Sequence, residues 1–408
     1  MAWALLDAGC GESGLSMVPA APGEGPDTGA PADLGPGDQG GAAEDAGLSF
    51  FDAAAADQGS SDVAFADGGP TDGANLDAAA PDAAGQDAGI PADAGPSGIG
   101  PTCFPAIWDP NTVGPNYDQF APQVGSHCLG TNHQTITGVE RVVFLGDSVT
   151  VGTPPTPSDQ YYRSRLAERL ATHFGLMPPS DVWERASLVN GTALVQSSGD
   201  FASCAKWGAR TDDLIEDNSQ MLDCFPESER HKRTLVVMTI GGNDIAAITK
   251  AGAPSGGKTY VEVEAMTQEF VQKLRDAVHW LKDDPTLFPN GVDVIFSNMY
   301  EFTDATGDVT SCPAAGLAGF DEPWSNPQDL EHLVVWANEQ FMQIAVETQT
   351  DLIMMLEHFC GHGYHNDDPN GRCYRGTNTE RWFDLSCIHP NPAGHQVIAD
   401  MFMAVVVE

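Results

Sequence analysis

Apolar positions fall into two kinds of pattern along this chain, and both begin only after about residue 102. Val142–Leu145, Leu235–Ile240, Val292–Phe296 and Leu352–Leu356 are short, nearly continuous runs rich in Val, Ile and Leu. Such runs suit strands buried on both faces. Between them, apolar residues recur three or four apart. Leu166, Leu170 and Phe174 predict one helix, and Met266, Phe270, Leu274, Val278 and Leu281 predict another over Val261–Leu281. Leu330–Val346 and Val397–Val405 follow the same rule. Strands alternating with helices predict an α/β domain over residues 102–408, with a central parallel sheet covered on both faces.

Residues 11–101 carry neither pattern. Ala, Gly, Asp and Pro dominate them, and such a composition cannot bury enough apolar surface to fold. A disordered linker is expected. Within it Asp52, Asp57, Asp62, Asp67, Asp72, Asp77, Asp82 and Asp87 recur every five residues. Calcium loops cluster their oxygen ligands at alternate positions, so this spacing predicts a self-repelling spacer instead. Residues 1–10 are too short for a complete signal peptide and lack a basic start. Ala8-Gly9-Cys10 nevertheless resembles the end of a bacterial lipoprotein signal, which makes Cys10 a candidate membrane tether. Asp7 stands where such signals prefer leucine.

Charge and cysteines narrow the class. The net charge is −40, and no Lys or Arg precedes Arg141. Residues 101–408 hold 41 acids against 18 bases, a net of −23. A domain this acidic repels phosphate backbones and anionic lipid, so nucleic acid is not an expected partner. Apart from Cys10, eight cysteines lie in the domain, none at C-x-x-C spacing. That argues against a zinc or thioredoxin-type site and for up to four disulfides in an oxidising compartment. Sequence proximity favours Cys103–Cys128, Cys204–Cys224 and Cys360–Cys373. The expected location is secreted or in the cell envelope, periplasmic or on the outer surface.

Gly146-Asp147-Ser148 ends the first predicted strand, where open α/β sheets place reactive groups. A serine hydroxyl needs a general base, an oriented partner for that base, and oxyanion donors. Gly241-Gly242-Asn243-Asp244 ends a second predicted strand and offers the Asn243 amide. His389 lies just before the last predicted helix, which Asn391-Pro392 would open as N-cap and first residue. Asp147 and Asp244 read as turn-stabilising acceptors. His358, His362 and His365 read as parts of a polar, disulfide-closed loop in preference to a metal site. Trp207 and Trp382 adjoin the site segments and read either as pocket walls or as packed aromatics. Neither a G-x-S-x-G elbow nor a phosphate-binding P-loop occurs, and no cofactor or metal is expected.

Gly146-Asp147-Ser148, Gly208 in Trp207-Gly208-Ala209-Arg210, Gly241-Gly242-Asn243-Asp244 and His389-Pro390 resemble, in order, the motifs of the SGNH or GDSL-type hydrolases. The resemblance spans residues 141–395. It implies a three-layer α/β/α, flavodoxin-like fold, to which the cysteines add disulfide-braced loops, and a serine that hydrolyses carboxylic esters through an acyl-enzyme. Carried over by position, Ser148 is the nucleophile and His389 the base. The oxyanion hole is the Ser148 N–H, the Gly208 N–H and the Asn243 side chain, with Gly191 an alternative to Gly208. The chain departs from the family pattern at the acid: Ser386 occupies the place three before the histidine. Asp384 is the nearest preceding carboxylate and takes the orienting role, the alternative being a backbone carbonyl. The implied substrate is a small-molecule, lipid or carbohydrate ester. A deacetylase of the same fold, or a catalytically silent binding module on a spacer, stands as the alternative.

Overall fold

Six strands form one sheet in a computed structural model that describes residues 98–216 and 219–408. They are β1 (Arg141–Gly146), β2 (Ser197–Ser198), β3 (Phe201–Ser203), β4 (Thr234–Thr239), β5 (Val292–Ser297) and β6 (Asp351–Ile353). Their order across the sheet is β2-β3-β1-β4-β5-β6. Every neighbouring pair is parallel except β2 with β3.

Successive side chains on a strand point to opposite faces, and here the two sets enter different cores. Val142, Phe144, Leu235, Val237 and Ile295 pack with helices Tyr162–Phe174 and Pro392–Val407. Val143, Leu145, Val236, Met238, Val294 and Phe296 pack on the other face with helices Gly242–Gly252, Tyr260–Lys282 and Pro327–Thr348. Two cores on one sheet make the three-layer α/β/α architecture. The sheet also sets the site. Gly146 and Thr239 are register partners at the carboxyl ends of β1 and β4, so the segments after them emerge side by side.

The predicted helices and the three long strands are present within a few residues. Leu352–Leu356 is different: β6 stops at Ile353, and Met355–Phe359 is a short helix. The Met354 N–H turns to Leu129 O and the Leu356 N–H to the Asn298 side chain, which takes the chain off the sheet. Thr211–Leu214 forms one 3-10 turn. Four disulfides are made: Cys103–Cys128, Cys204–Cys224, Cys360–Cys373 and Cys312–Cys387. The first three are those favoured by proximity, and the fourth joins cysteines 75 residues apart. Helix Ile99–Cys103 crosses the expected start of the domain and is held by Ile99 N–H donating to Asp118. Cys10 and the aspartate repeat lie outside the described residues. Among the described residues no helix is long and apolar enough to cross a membrane.

Candidate active site

Gly146 is where β1 turns. Its φ is +122°, and a Cβ there would lie 1.9 Å from the Thr239 carbonyl oxygen, so only glycine fits. Asp147 then caps the short helix Ser148–Val151, accepting from the Val149 N–H at 3.0 Å and the Thr239 hydroxyl at 3.2 Å. Burial pushes the Asp147 carboxyl up to about 7. It is a turn-stabilising acceptor, as expected.

This places the Ser148 hydroxyl 2.8 Å from His389 Nε2. His389 comes from the opposite end of the domain. Asn391 accepts from the Ala393 and Gly394 N–H groups, so the terminal helix begins where the Asn-Pro pair predicts. The loop before it is held by Tyr300 OH donating to Ile388 O, by Tyr364 OH donating to Asp384 O, and by Asp384 N–H donating to His389 O. Cys387 ties the same loop to Cys312. Burial holds the His389 imidazole down at about 4, so it is neutral and able to accept a proton near pH 7.

Among the described residues, His389 Nδ1 meets neither the Asp384 carboxylate directly nor a backbone carbonyl. Nδ1 lies 2.8 Å from Ser386 Oγ, and the Ser386 hydroxyl lies 2.5 Å from Asp384 Oδ1. Asp384 Oδ1 also accepts the Ser386 N–H at 2.8 Å, closing an Asx turn. The carboxylate reaches the imidazole only through a hydroxyl. By sequence Ser386 reads only as the place of a missing acid. The Asp-x-Ser spacing, which favours such a turn, was the signal that could have found it.

Asn243 stands at the start of helix Gly242–Gly252, its amide donating to Ala209 O at 2.8 Å. That bond draws the Gly208 turn towards the segment after β4. Gly208 has φ +76°, and neither its N–H nor that of Ser148 finds an acceptor among the described residues. Gly191 is different. It is buried, and its N–H is spent on Ser187 O at 2.8 Å, so Gly208 is the available donor of the two. Asp244 anchors the same region by accepting from Thr211 N–H and Oγ1, and burial pushes it up to about 7.

Ser148, Asn243 and His389 open onto a cavity of about 470 Å³, a size ordinary for small-molecule sites. Its apolar wall includes Ile245, Met299, Phe302, Phe320, Trp324 and Val334. Neither Trp207 nor Trp382 lines it: Trp207 Nε1 donates to Gly152 O, and Trp382 stacks on His362 with ring centroids 3.3 Å apart. The three loop histidines are each engaged, His358 with Cys128 O, His362 with Glu380 O and His365 with Asp308.

A mostly parallel sheet between two helical layers, with a Gly-Asp-Ser turn at the end of its first strand, is the fold of the SGNH hydrolases. Residues 144–397 match the model of the GDSL-like Lipase/Acylhydrolase family, and the chain belongs to that family. No curated protein matches the chain significantly. Among solved structures it is similar to an extracellular lipase from Streptomyces rimosus, at 17% identity over 65% of this chain and 100% of that one, with a TM-score of 0.38. It is also similar to an acetyl xylan esterase, at 19% identity over 65% and 99%, TM-score 0.35. A carbohydrate acetylesterase from Sinorhizobium meliloti matches at 14% identity over 65% and 100%, TM-score 0.33.

Proposed function

We propose that this chain is a carboxylic-ester hydrolase in which Ser148 is the nucleophile and His389 its general base. The 2.8 Å approach of His389 Nε2 to Ser148 Oγ carries the reading. His389 takes the hydroxyl proton as Ser148 attacks the ester carbonyl, and the N–H groups of Ser148 and Gly208 with the Asn243 amide hold the oxyanion. The alcohol leaves with the proton from His389, and water then releases the acid from the acyl-enzyme. Asp384 keeps its orienting role, at one remove.

The size and apolar wall of the cavity support an acyl group longer than acetyl, and so an esterase or lipase in preference to a carbohydrate deacetylase. Four disulfides support an exported, envelope or extracellular setting. Attachment through Cys10 is part of the same proposal. A fluorophosphonate probe should label the wild-type protein and leave Ser148→Ala unlabelled. No labelling of wild type would favour a silent binding module. On p-nitrophenyl esters of rising chain length, activity should pass its maximum beyond acetate, whereas a preference for acetate and acetylated xylan would favour the deacetylase.

A further inference from the structure

We propose that Ser386 is a positioning residue of the hydrolytic site, the obligatory hydroxyl link through which Asp384 sets the orientation and tautomer of His389. The inference rests on the ester-hydrolase reading and deepens it. Four side chains stand in one hydrogen-bonded line: Asp384 Oδ1, Ser386 Oγ, His389 Nδ1 on one side of the ring, and His389 Nε2 to Ser148 Oγ on the other. The His389 N–H also points to Ser386 Oγ at 3.3 Å, so backbone and ring converge on that one oxygen.

Donor and acceptor counting gives the line its direction. An ionised carboxylate only accepts, so the Ser386 proton goes to Asp384 Oδ1. Its oxygen then has lone pairs left, and His389 must donate to it from Nδ1. That leaves the Nε2 lone pair facing the Ser148 proton, which is the tautomer a general base requires. When Ser148 attacks, its proton passes to Nε2. The Nδ1 and Ser386 protons stay in place and Asp384 takes none.

The same geometry withholds something. The negative charge is separated from the ring by a neutral hydroxyl, so less of it reaches the imidazolium than in a direct carboxylate–imidazole pair. Asp147 after β1, Tyr300 after β5, Tyr364 in the loop before the terminal helix and His395 on that helix are titratable groups packed around this line, with Arg381 over the Tyr364 ring and Arg165 facing His395. Among the described residues, none of them hydrogen-bonds the His389 ring. Burial alone sets its low basicity.

The test compares Ser386→Ala, Ser386→Thr, Ser386→Asp, Asp384→Asn and the Ala/Asn double variant, after each is shown to be labelled by or inert to a fluorophosphonate. Ser386→Ala should lose between about 10-fold and the roughly 10⁴-fold that a wrong tautomer costs, in kcat and not KM, and Ser386→Thr should restore most of it. The double variant should be no worse than Ser386→Ala, because Asp384 has no other route to the ring. Ser386→Asp puts a carboxylate against Nδ1, which favours the imidazolium, so the acid limb of kcat/KM should move to higher pH than in wild type. Nitrogen-15 shifts of His389 should report Nδ1–H in wild type and a loss of that preference in Ser386→Ala. Wild-type kcat in Ser386→Ala, additive losses in the double variant, or an Nε2–H wild-type ring would each overturn the proposal. Labelled wild type with an indifferent Ser386 sinks this inference alone, whereas unlabelled wild type sinks the function on which it stands.

Discussion

Ser148, Asn243 and His389 each sit where a strand or helix ends, and their chemistry follows from groups those ends leave unpaired. Ser148 is the first residue of a helix, so its N–H has no partner within that helix. Asp147 and Asp244, one residue from Ser148 and Asn243, hold these ends and are both raised to about 7 by burial. A carboxyl raised above its unfolded value favours the folded state fully below about pH 4 and loses that contribution as pH climbs to about 7. Asp244→Asn removes this dependence at one position. The variant should therefore gain stability relative to wild type as pH rises from about 4 to about 7, read as urea midpoints, and a difference that does not change with pH would place Asp244 in a solvated setting. Motif residues such as Ser148 and Asn243 were legible because turns demand particular residue types. Ser386 was less so, because Asp-x-Ser spacing announces a turn and says nothing of the hydroxyl's second partner. Gly208 is preferred to Gly191 on the sequence, and the packing adds a separate reason, since the Gly191 N–H is already spent on Ser187 O.

Among the elements, long periodic segments could be read from the chain because burial on a sheet imposes the period. The edge was harder. Phe201–Ser203 and Ser197–Ser198 are too short to show any alternation, and the run after Ile353 stays apolar although the backbone has left the sheet. The Cys312–Cys387 bridge is not favoured by proximity either, since 75 residues separate the two and no local rule joins them. That bridge is expected to matter beyond stability, because Cys387 lies between Ser386 and His389 in the same loop. Replacing both cysteines by alanine should cost about 2–4 kcal/mol in unfolding free energy. It should also lower kcat when assayed well below the unfolding midpoint. A variant that is less stable yet turns over at the wild-type rate would confine the bridge to a structural role.

At the scale of the whole molecule, residues 101–408 carry a net charge of −23, and the cavity of the candidate site also holds Glu301, Glu322 and Glu331. Anionic esters should be repelled over the roughly 10 Å reach that charges have at about 0.1 M salt. Added sodium chloride should thus raise kcat/KM for a carboxylate-bearing ester and leave a neutral ester of equal length unchanged. Equal salt responses would show that the field does not reach the site. A different consequence follows from the 241 residues that separate Ser148 from His389. Ser148 belongs to the centre of the sheet, while His389, its proposed base, arrives with the terminal helix. Loop-closure entropy makes such a distant meeting dependent on everything between the two already being in place. Hydrolysis therefore audits assembly. Partly folded chains can hold the sheet and still be silent, and a newly made molecule would gain the proposed reactivity only once the terminal helix has docked.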